Sequence, residues 1–439
     1  MKRACICLAI TLWSLPSLTS GATFFTQDSP KKPVQGRTQK LTNPLNELLA
    51  EAQRDIDKND FEGAIAPLQK VLAEQPNFAY AHFQLGYVYT ALKRNAEARA
   101  EYERTISLDP KMAEAHLNLG LLLIEERPAD AIAPLRKAVE LLPAQSRPRF
   151  LLGVALERTG EKAAAVGSFE GALGLDPRDF DTLVHLGNAY LDLKRAAEAE
   201  KKYQSALEIQ QNYAPALLGL AQSLDAQKKP EAPEAYGKYL STQPTDTAVR
   251  TRLVHVLLER EQYDDALAEL DRAGAGQAPT VDSLKLRADI QIGQKHLDDA
   301  IATLKQAIAL APNNAQLHGG LGRLFLQERD FASAEKELNV ALQLDKNNVI
   351  YWKDLSSTFY LAGNYQATLA ALDVVSKLET PVPGAWFIRA LCYDKLNQTK
   401  PALDAYQKFL ELAPDKNSDQ VWQAQQRSKA LRRILDRKR

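Results

Sequence analysis

The stretch Ala79–Pro110, AYAHFQLGYVYTALKRNAEARAEYERTISLDP, contains two segments with helical periodicity and ends in a proline. At helical spacing, Leu85 and Gly86 lie on one face of the first segment, and Ala98 and Tyr102 lie on one face of the second. The closing proline cannot continue a helix, because its ring removes the backbone donor that the next turn needs. The stretch therefore predicts a helix, a turn, a second helix and a stop.

The small residue of the second segment returns along the whole chain, in steps of 33 or 34 residues. Its positions are Ala64, Ala98, Ala131, Ala165, Ala199, Ala232, Ala266, Ala300, Ala334, Thr368 and Ala402. Four residues after each of them stands a large apolar or aromatic residue: Leu68, Tyr102, Leu135, Phe169, Tyr203, Tyr236, Leu270, Leu304, Leu338, Leu372 and Tyr406. This regularity predicts tandem copies of one helical hairpin.

The period and its marker residues resemble those of the tetratricopeptide repeat family. The shared marks are a Leu-Gly pair in the first helix, a small residue and an aromatic residue in the second, and a closing proline. The resemblance covers roughly Pro44 to Pro414. It implies an all-α fold, an α-α superhelical solenoid of about eleven repeats, and a binding scaffold whose partner the sequence does not name.

Glycines at the same position of five first helices need a structural reason, because glycine inside a helix costs about 0.5–1 kcal/mol relative to alanine. They are Gly86, Gly120, Gly153, Gly187 and Gly322. We expect each glycine to face the small residue of the second helix, so that the two backbones approach closely and the bulky residue fills the space beside them.

The N-terminal residues differ in composition from the repeats. Residues 1–22 begin with Lys2 and Arg3, continue in an apolar run and end in small residues, a pattern typical of a secretory signal peptide. The run is shorter than the roughly 20 residues that span a bilayer, which disfavours a membrane anchor. Residues 23–42 are polar and rich in proline, and they predict a flexible linker.

Residues 43–417 are predicted to form one repeat array. The segment Gly274–Pro279 resembles a linker, but the repeat period continues through it unchanged, so we expect a local weak point and no domain boundary. Residues 418–439 predict a C-terminal capping helix with a basic tail. Its apolar residues Val421, Trp422, Leu431, Ile434 and Leu435 fall on or near one side.

Composition and motifs favour a protein without catalysis. The formal net charge is zero, so no basic excess indicates a nucleic-acid partner. No nucleophile elbow, phosphate loop or metal-ligand spacing occurs, and we expect no cofactor and no metal. Three of the six histidines, His82, His116 and His318, stand at one repeat position and are interpreted as packing residues. Cys392 is the cysteine left outside the predicted signal peptide, and we expect it to be packed.

An apolar strip on the first helices is the candidate partner-binding surface, because in this family the first helices line the inner groove. Its residues are Tyr80, Phe83, Tyr87, Leu117, Leu121, Phe150 and Val154. An exposed strip of this kind fits a peptide or a partner helix. The alternative interpretation is that neighbouring helices cover the strip. The two Trp residues Trp352 and Trp386 are interpreted as core.

The leading functional hypothesis is an exported scaffold, periplasmic or secreted, that binds proteins or peptides through the concave groove. No integral membrane span is expected after signal cleavage, and the oligomeric state is not predicted. The alternative is a structural, self-associating component of a cell-envelope assembly. The sequence is also compatible with a glycan ligand, since aromatic residues can stack on sugar rings.

Overall fold

The computed structural model describes residues 43–413 and 418–437, and these residues form 23 helices and no strands. They divide into two compact units between Gln243 and Pro244. The all-α class is therefore confirmed. The predicted signal peptide and linker lie outside the described residues and stay predictions. No helix within the described ranges combines the length and the apolar run needed to cross a bilayer.

Unit 1 consists of six helical hairpins. Its helices are α1 Asn43–Asp57, α2 Phe61–Glu74, α3 Ala79–Ala91, α4 Asn95–Leu108, α5 Ala113–Leu123, α6 Pro128–Leu141, α7 Ser146–Arg158, α8 Lys162–Leu173, α9 Phe180–Asp192, α10 Ala196–Ile209, α11 Ala214–Ala226 and α12 Ala232–Thr242. Each odd-numbered helix packs against the even-numbered helix that follows it. The first helices of successive hairpins also contact each other, whereas the second helices approach less closely.

Unit 2 consists of five hairpins and one further helix. Its helices are α13 Thr247–Glu259, α14 Tyr263–Ala273, α15 Val281–Gly293, α16 Leu297–Leu310, α17 Ala315–Gln327, α18 Phe331–Leu344, α19 Val349–Leu361, α20 Tyr365–Leu378, α21 Pro383–Lys395, α22 Thr399–Leu412 and α23 Asp419–Arg437. The segment Gly274–Pro279 lies inside this unit, between two helices that contact each other. The single continuous array across both units stays a prediction.

The repeated glycine faces the bulky residue of the second helix, which corrects the expectation that it faces the small residue. A Cβ atom on Gly86 would lie 2.8 Å from the ring of Tyr102, and one on Gly187 would lie 2.8 Å from the ring of Tyr203. Both rings are fully buried. The ring therefore lies directly on the backbone of the first helix, and a side chain at the glycine would displace it.

The fourth residue of the first helix closes the turn that joins one hairpin to the next. In six repeats its side chain donates a hydrogen bond to the backbone carbonyl six residues earlier. These pairs are His82 with Pro76, His116 with Pro110, Arg149 with Pro143, Arg250 with Pro244, His318 with Pro312, and Trp352 with Lys346, at distances between 2.7 and 3.0 Å. The histidines are thus structural residues, in agreement with the sequence interpretation.

Two of these histidines also bind a glutamate nineteen residues later, on the second helix. Nδ1 of His82 lies 2.6 Å from Oε2 of Glu101, and Nδ1 of His318 lies 2.7 Å from Oε2 of Glu337. In the hairpin of His116 the corresponding position, three residues after the small residue Ala131, is occupied by Pro134, so this contact is absent.

The different neighbours shift the pKa values of two histidines in opposite directions. Burial alone would lower the pKa of His82, but its hydrogen bonds to the Glu101 carboxylate and to the Pro76 carbonyl outweigh burial and raise the pKa. Burial lowers the pKa of His116, and the hydrogen bond to the Pro110 carbonyl does not compensate.

The C-terminal helix α23 packs against α22, but its apolar residues are not all on the packed side. Val421 and Leu431 are buried, whereas Trp422 is 63% exposed and Ile434 is 38% exposed. The expectation that these residues share the packed face is therefore wrong for Trp422 and Ile434. The cause is helical spacing, because the packed face follows Val421 and Ala424, and Trp422 is rotated about 100° away from Val421.

The glycine contact predicts opposite effects for two glycine substitutions in unit 1. A Cβ atom on Gly120 would overlap the Leu135 side chain, whereas one on Gly167, in α8, would meet no atom within 4 Å. We expect Gly120→Ala to destabilise its hairpin by about 1–3 kcal/mol through overpacking. We expect Gly167→Ala to stabilise α8 by about 0.5–1 kcal/mol through helix propensity.

Amide hydrogen exchange in α5, α6 and α8 measures both effects, because exchange reports the local opening free energy of each hairpin. Equal protection factors in α5 and α6 for the parent and Gly120→Ala would contradict the close-contact argument.

The two histidines predict opposite dependences on pH. Because the pKa of His82 is raised, its contribution to stability is full below the ordinary value near 6.5 and is lost as the pH rises through the raised value. Because the pKa of His116 is lowered, its contribution is full above the ordinary value and is lost as the pH falls through the lowered value.

NMR titration of the ring protons in histidine-labelled protein, assigned with His82→Asn and His116→Asn, gives both values. A higher pKa for His116 than for His82 would show that the Glu101 contact does not act as described.

Candidate partner-binding surface

Five of the seven residues of the predicted strip are buried. Their exposed fractions are 2% for Phe83, 7% for Tyr87, 1% for Leu117, 9% for Phe150 and 4% for Val154. Tyr80 and Leu121 are half-buried. These values agree with the alternative interpretation, in which neighbouring helices cover most of the strip.

Contacts within and between hairpins explain this burial. The ring centroid of Phe83 lies 5.9 Å from that of Tyr102, and the ring centroid of Phe150 lies 6.0 Å from that of Phe169. The ring of His185, on the next first helix, lies 5.5 Å from Phe150. The aromatic side chains of the first helices are thus part of the repeat core, and a partner-binding role for the half-exposed Tyr80 and Leu121 stays a prediction.

Other residues singled out by the sequence are also packed. Cys392 is fully buried, and burial raises the pKa of its thiol to about 11, in agreement with a packed role. Trp352 and Trp386 are half-buried, so they belong to the core in part. The described ranges contain no cluster of three or more metal-ligating side chains.

A pocket that the sequence analysis missed lies in unit 1, on the last two hairpins. It has a volume of about 580 Å³ and opens between the second helices α10 and α12. This volume is in the range of roughly 300–1,000 Å³ that is typical of ligand pockets. Leu217, Leu220 and Leu224 of α11 line it, together with Ala235 of α12.

The late start of α12 forms this pocket. Every other second helix begins three residues before its small residue, whereas α12 begins at the small residue itself, Ala232. In a helix that began three residues earlier, the backbone N–H of residue 233 would bind the carbonyl of Lys229, and Pro233 lacks this donor. Without that turn, the apolar side chains of α11 keep part of their surface open.

Charged groups at the edge of the pocket are bound to one another. Nζ of Lys229 donates to both carboxylate oxygens of Glu200, at 2.9 and 2.7 Å, and Nε2 of Gln227 donates to the same carboxylate at 2.7 Å. Burial would raise the pKa of Glu200, but these hydrogen bonds outweigh burial and lower it. The ion pair of Lys238 and Glu234, at 2.8 Å, lines the other side.

The arrangement fits a binding function better than a reaction. The four charges of the two ion pairs at the edge already have partners, and Glu231 is exposed to solvent. The lining that α11 contributes is aliphatic. Such a pocket can accept an apolar side chain of a peptide or protein, and the ion pairs at its edge disfavour an unsolvated charge there.

Comparison with family models identifies the repeat. Models described as tetratricopeptide repeat match residues 291–357, 125–180, 150–215 and 385–416, and a model described as TPR repeat matches residues 86–125. Together the matched segments cover about half of the chain, in both units.

Curated relatives share the repeat at low identity. The human protein O-mannosyl-transferase TMTC3 is 24% identical over 327 residues, which are 67% of this chain and 34% of that protein. The chicken DnaJ homolog subfamily C member 3 is 23% identical over 295 residues, which are 60% and 58% of the two chains. The chain thus spans less than two thirds of the length of either relative.

Solved structures that align with this chain do so at low TM-scores. MamA is 25% identical, with a TM-score of 0.37, over 40% of this chain and 96% of that chain. YrrB, described as a TPR protein with an unusual peptide-binding site, is 26% identical, with a TM-score of 0.37, over 39% and 89%. Yeast Tom70 is 13% identical, with a TM-score of 0.36, over 90% and 96%.

The helical hairpins, the glycine–ring contact in successive repeats and the family models all lead to one assignment. This chain is a protein built of tandem tetratricopeptide repeats.

Proposed function

We propose that this chain is an exported, non-catalytic scaffold that binds a protein or peptide, and that the pocket between α10 and α12 receives an apolar side chain of that partner. Export, to the periplasm or the exterior, is part of the proposal and rests on the composition of residues 1–22. The binding part rests on the shape and chemistry of the pocket.

The observation that carries the proposal is the open apolar lining left by the late start of α12. In the other hairpins of unit 1 the second helix begins three residues before its small residue, whereas α12 begins at that residue. Leu220 lines the pocket and is half-buried, and α12 has no helical turn that covers it. Burying its remaining surface under a partner side chain would contribute about 25 cal/mol for each Å² of apolar area.

The predicted groove strip has a smaller part in this proposal than the sequence suggested. Its aromatic residues Phe83 and Tyr87 are buried, so their substitution would destabilise the hairpins and would not report on binding. Tyr80 and Leu121 keep accessible surface, and they serve as the comparison site.

Selection of peptides from a displayed random library against the full chain tests the pocket. We expect the selected peptides to share an apolar anchor residue, and we expect Leu220→Glu to weaken their binding at least tenfold, or about 1.4 kcal/mol. Leu220→Met should retain the affinity, because it conserves the volume and the apolar character. Fluorescence anisotropy with labelled peptides measures each dissociation constant.

The double substitution Tyr80→Ala and Leu121→Ala is the matched control on the groove. If peptides lose affinity for this variant but not for Leu220→Glu, the binding site lies in the groove, and the proposed role of the pocket is refuted. All compared variants must have the same melting temperature in thermal unfolding. This control shows that a loss of affinity is not caused by unfolding of the variant.

A further inference from the structure

The C-terminal helix α23 repeats the geometry of a first helix. Its fourth residue is Trp422, and the fourth residues of α19 and α21 are also tryptophans, Trp352 and Trp386. Those two are half-buried: the indole of Trp352 donates to the Lys346 carbonyl at 2.9 Å, and Trp386 lies under the guanidinium of Arg389. Trp422 is 63% exposed, the largest exposed fraction of any large apolar side chain in the described ranges.

The exposure has a geometrical cause. In α21, the fourth, eighth and eleventh residues are buried or half-buried, and α22 packs against this helix. In α23 the corresponding residues are all exposed, and they are Trp422, Gln426 and Lys429. The helix uses its other side, with Val421, Ala424, Ser428 and Leu431, to pack against α22. Among residues 43–413 and 418–437, no helix covers the side of α23 that corresponds to the side taken by a second helix in a hairpin.

The C-terminal half of the uncovered side has a cationic character. Lys429, Arg432 and Arg433 are exposed there with Asp436 near them, and the other acidic side chain, Asp419, lies one turn before Trp422. Arg427 is on this helix too, but its guanidinium binds the Asp394 carboxylate. A helix that covered Trp422 would lie beside these cations, so acidic side chains on it would form ion pairs and basic ones would be repelled.

The charge also argues against a second copy of this chain on the same surface. A symmetric contact with its two-fold axis near these cations would bring Lys429, Arg432 and Arg433 of one copy close to the same residues of the other copy. Like charges in an interface cost free energy, whereas an acidic partner gains from each pair.

We propose that the side of α23 with Trp422, Gln426, Lys429 and Arg433 is a docking surface for an acidic amphipathic helix of a partner protein. The partner helix takes the place of the second helix of a hairpin and covers the indole of Trp422 with a small or aliphatic side chain. This surface lies in unit 2 and goes beyond the pocket of unit 1.

A helix of this chain supplies a suitable probe. The second helix α14, YDDALAELDRA, has the small residue Ala266 and the bulky residue Leu270 that face a first helix, and it carries four carboxylates. A labelled peptide with this sequence, acetylated and amidated, is held helical by a hydrocarbon staple on the side away from Ala266 and Leu270. The control peptide has its Asp and Glu residues replaced by Asn and Gln.

Fluorescence anisotropy of the labelled peptide with the full chain gives the dissociation constant. We expect Trp422→Ala to weaken binding at least tenfold, and the double substitution Lys429→Glu and Arg433→Glu to weaken it by a similar factor. The neutral peptide should bind more weakly than the acidic one, and salt should weaken only the acidic peptide. Lys336→Glu, an exposed charge reversal on α18 of the same unit, should leave the affinity unchanged.

A charge-swapped peptide separates docking from a general loss of structure. A version with Lys in place of the acidic residues should bind the Lys429→Glu and Arg433→Glu variant better than the parent. Trp422→Ala and Trp422→Gln should keep the melting temperature of the parent, because the indole is exposed.

Equal affinity of the acidic peptide for the parent and Trp422→Ala, or no binding at millimolar concentration, would overturn the proposal. Sedimentation at several concentrations gives the other decisive result. A dimer that dissociates on Trp422→Ala would assign the surface to a second copy of this chain, and would equally overturn docking of an acidic partner. Tyr80 and Leu220 variants, which test the pocket and groove, should bind the acidic peptide as the parent does.

Discussion

A glycine contact sets the distance between the two helices of a hairpin. The glycine of the first helix has no side chain, so a buried ring or aliphatic group of the second helix lies directly on its backbone. Tyr102 lies on Gly86, and Tyr203 lies on Gly187, with both rings fully buried. Because the bulky group fills the interface, the hairpins can differ elsewhere without changing their spacing. This contact is present in the five hairpins that carry the glycine, and the surface residues of their first helices vary around it.

Sequence alone determined the helical class, the period and the position of the hairpins, because a small residue and a bulky residue recur at fixed spacing. It did not determine which atoms meet. The glycine was expected to face Ala98, and it faces Tyr102. Spacing along a helix shows which residues share a face, but the partner across an interface depends on the rotation of the second helix, which the period does not record.

The candidate surfaces were harder to predict, for two physical reasons. Residues such as Phe83 and Phe150 are equally compatible with an exposed groove and with a packed hairpin, and only the neighbouring helices determine which applies. The pocket had a weak signal, since Pro230 and Pro233 stand close to the shortened step at Ala232. The exposed side of α23 depends on helix phase, and its apolar residues were assigned to one side although Trp422 and Val421 are adjacent in sequence.

The late start of α12 shows how a repeat protein can acquire a cavity by leaving one turn of a helix unformed. Ala232 and Tyr236 remain buried, so the hairpin keeps the contacts that position it although its first turn is missing. The connection between the two helices of a hairpin can therefore change its conformation while the contact between the helices stays in place. An insertion between the small and the bulky residue would instead rotate one of them away from the core.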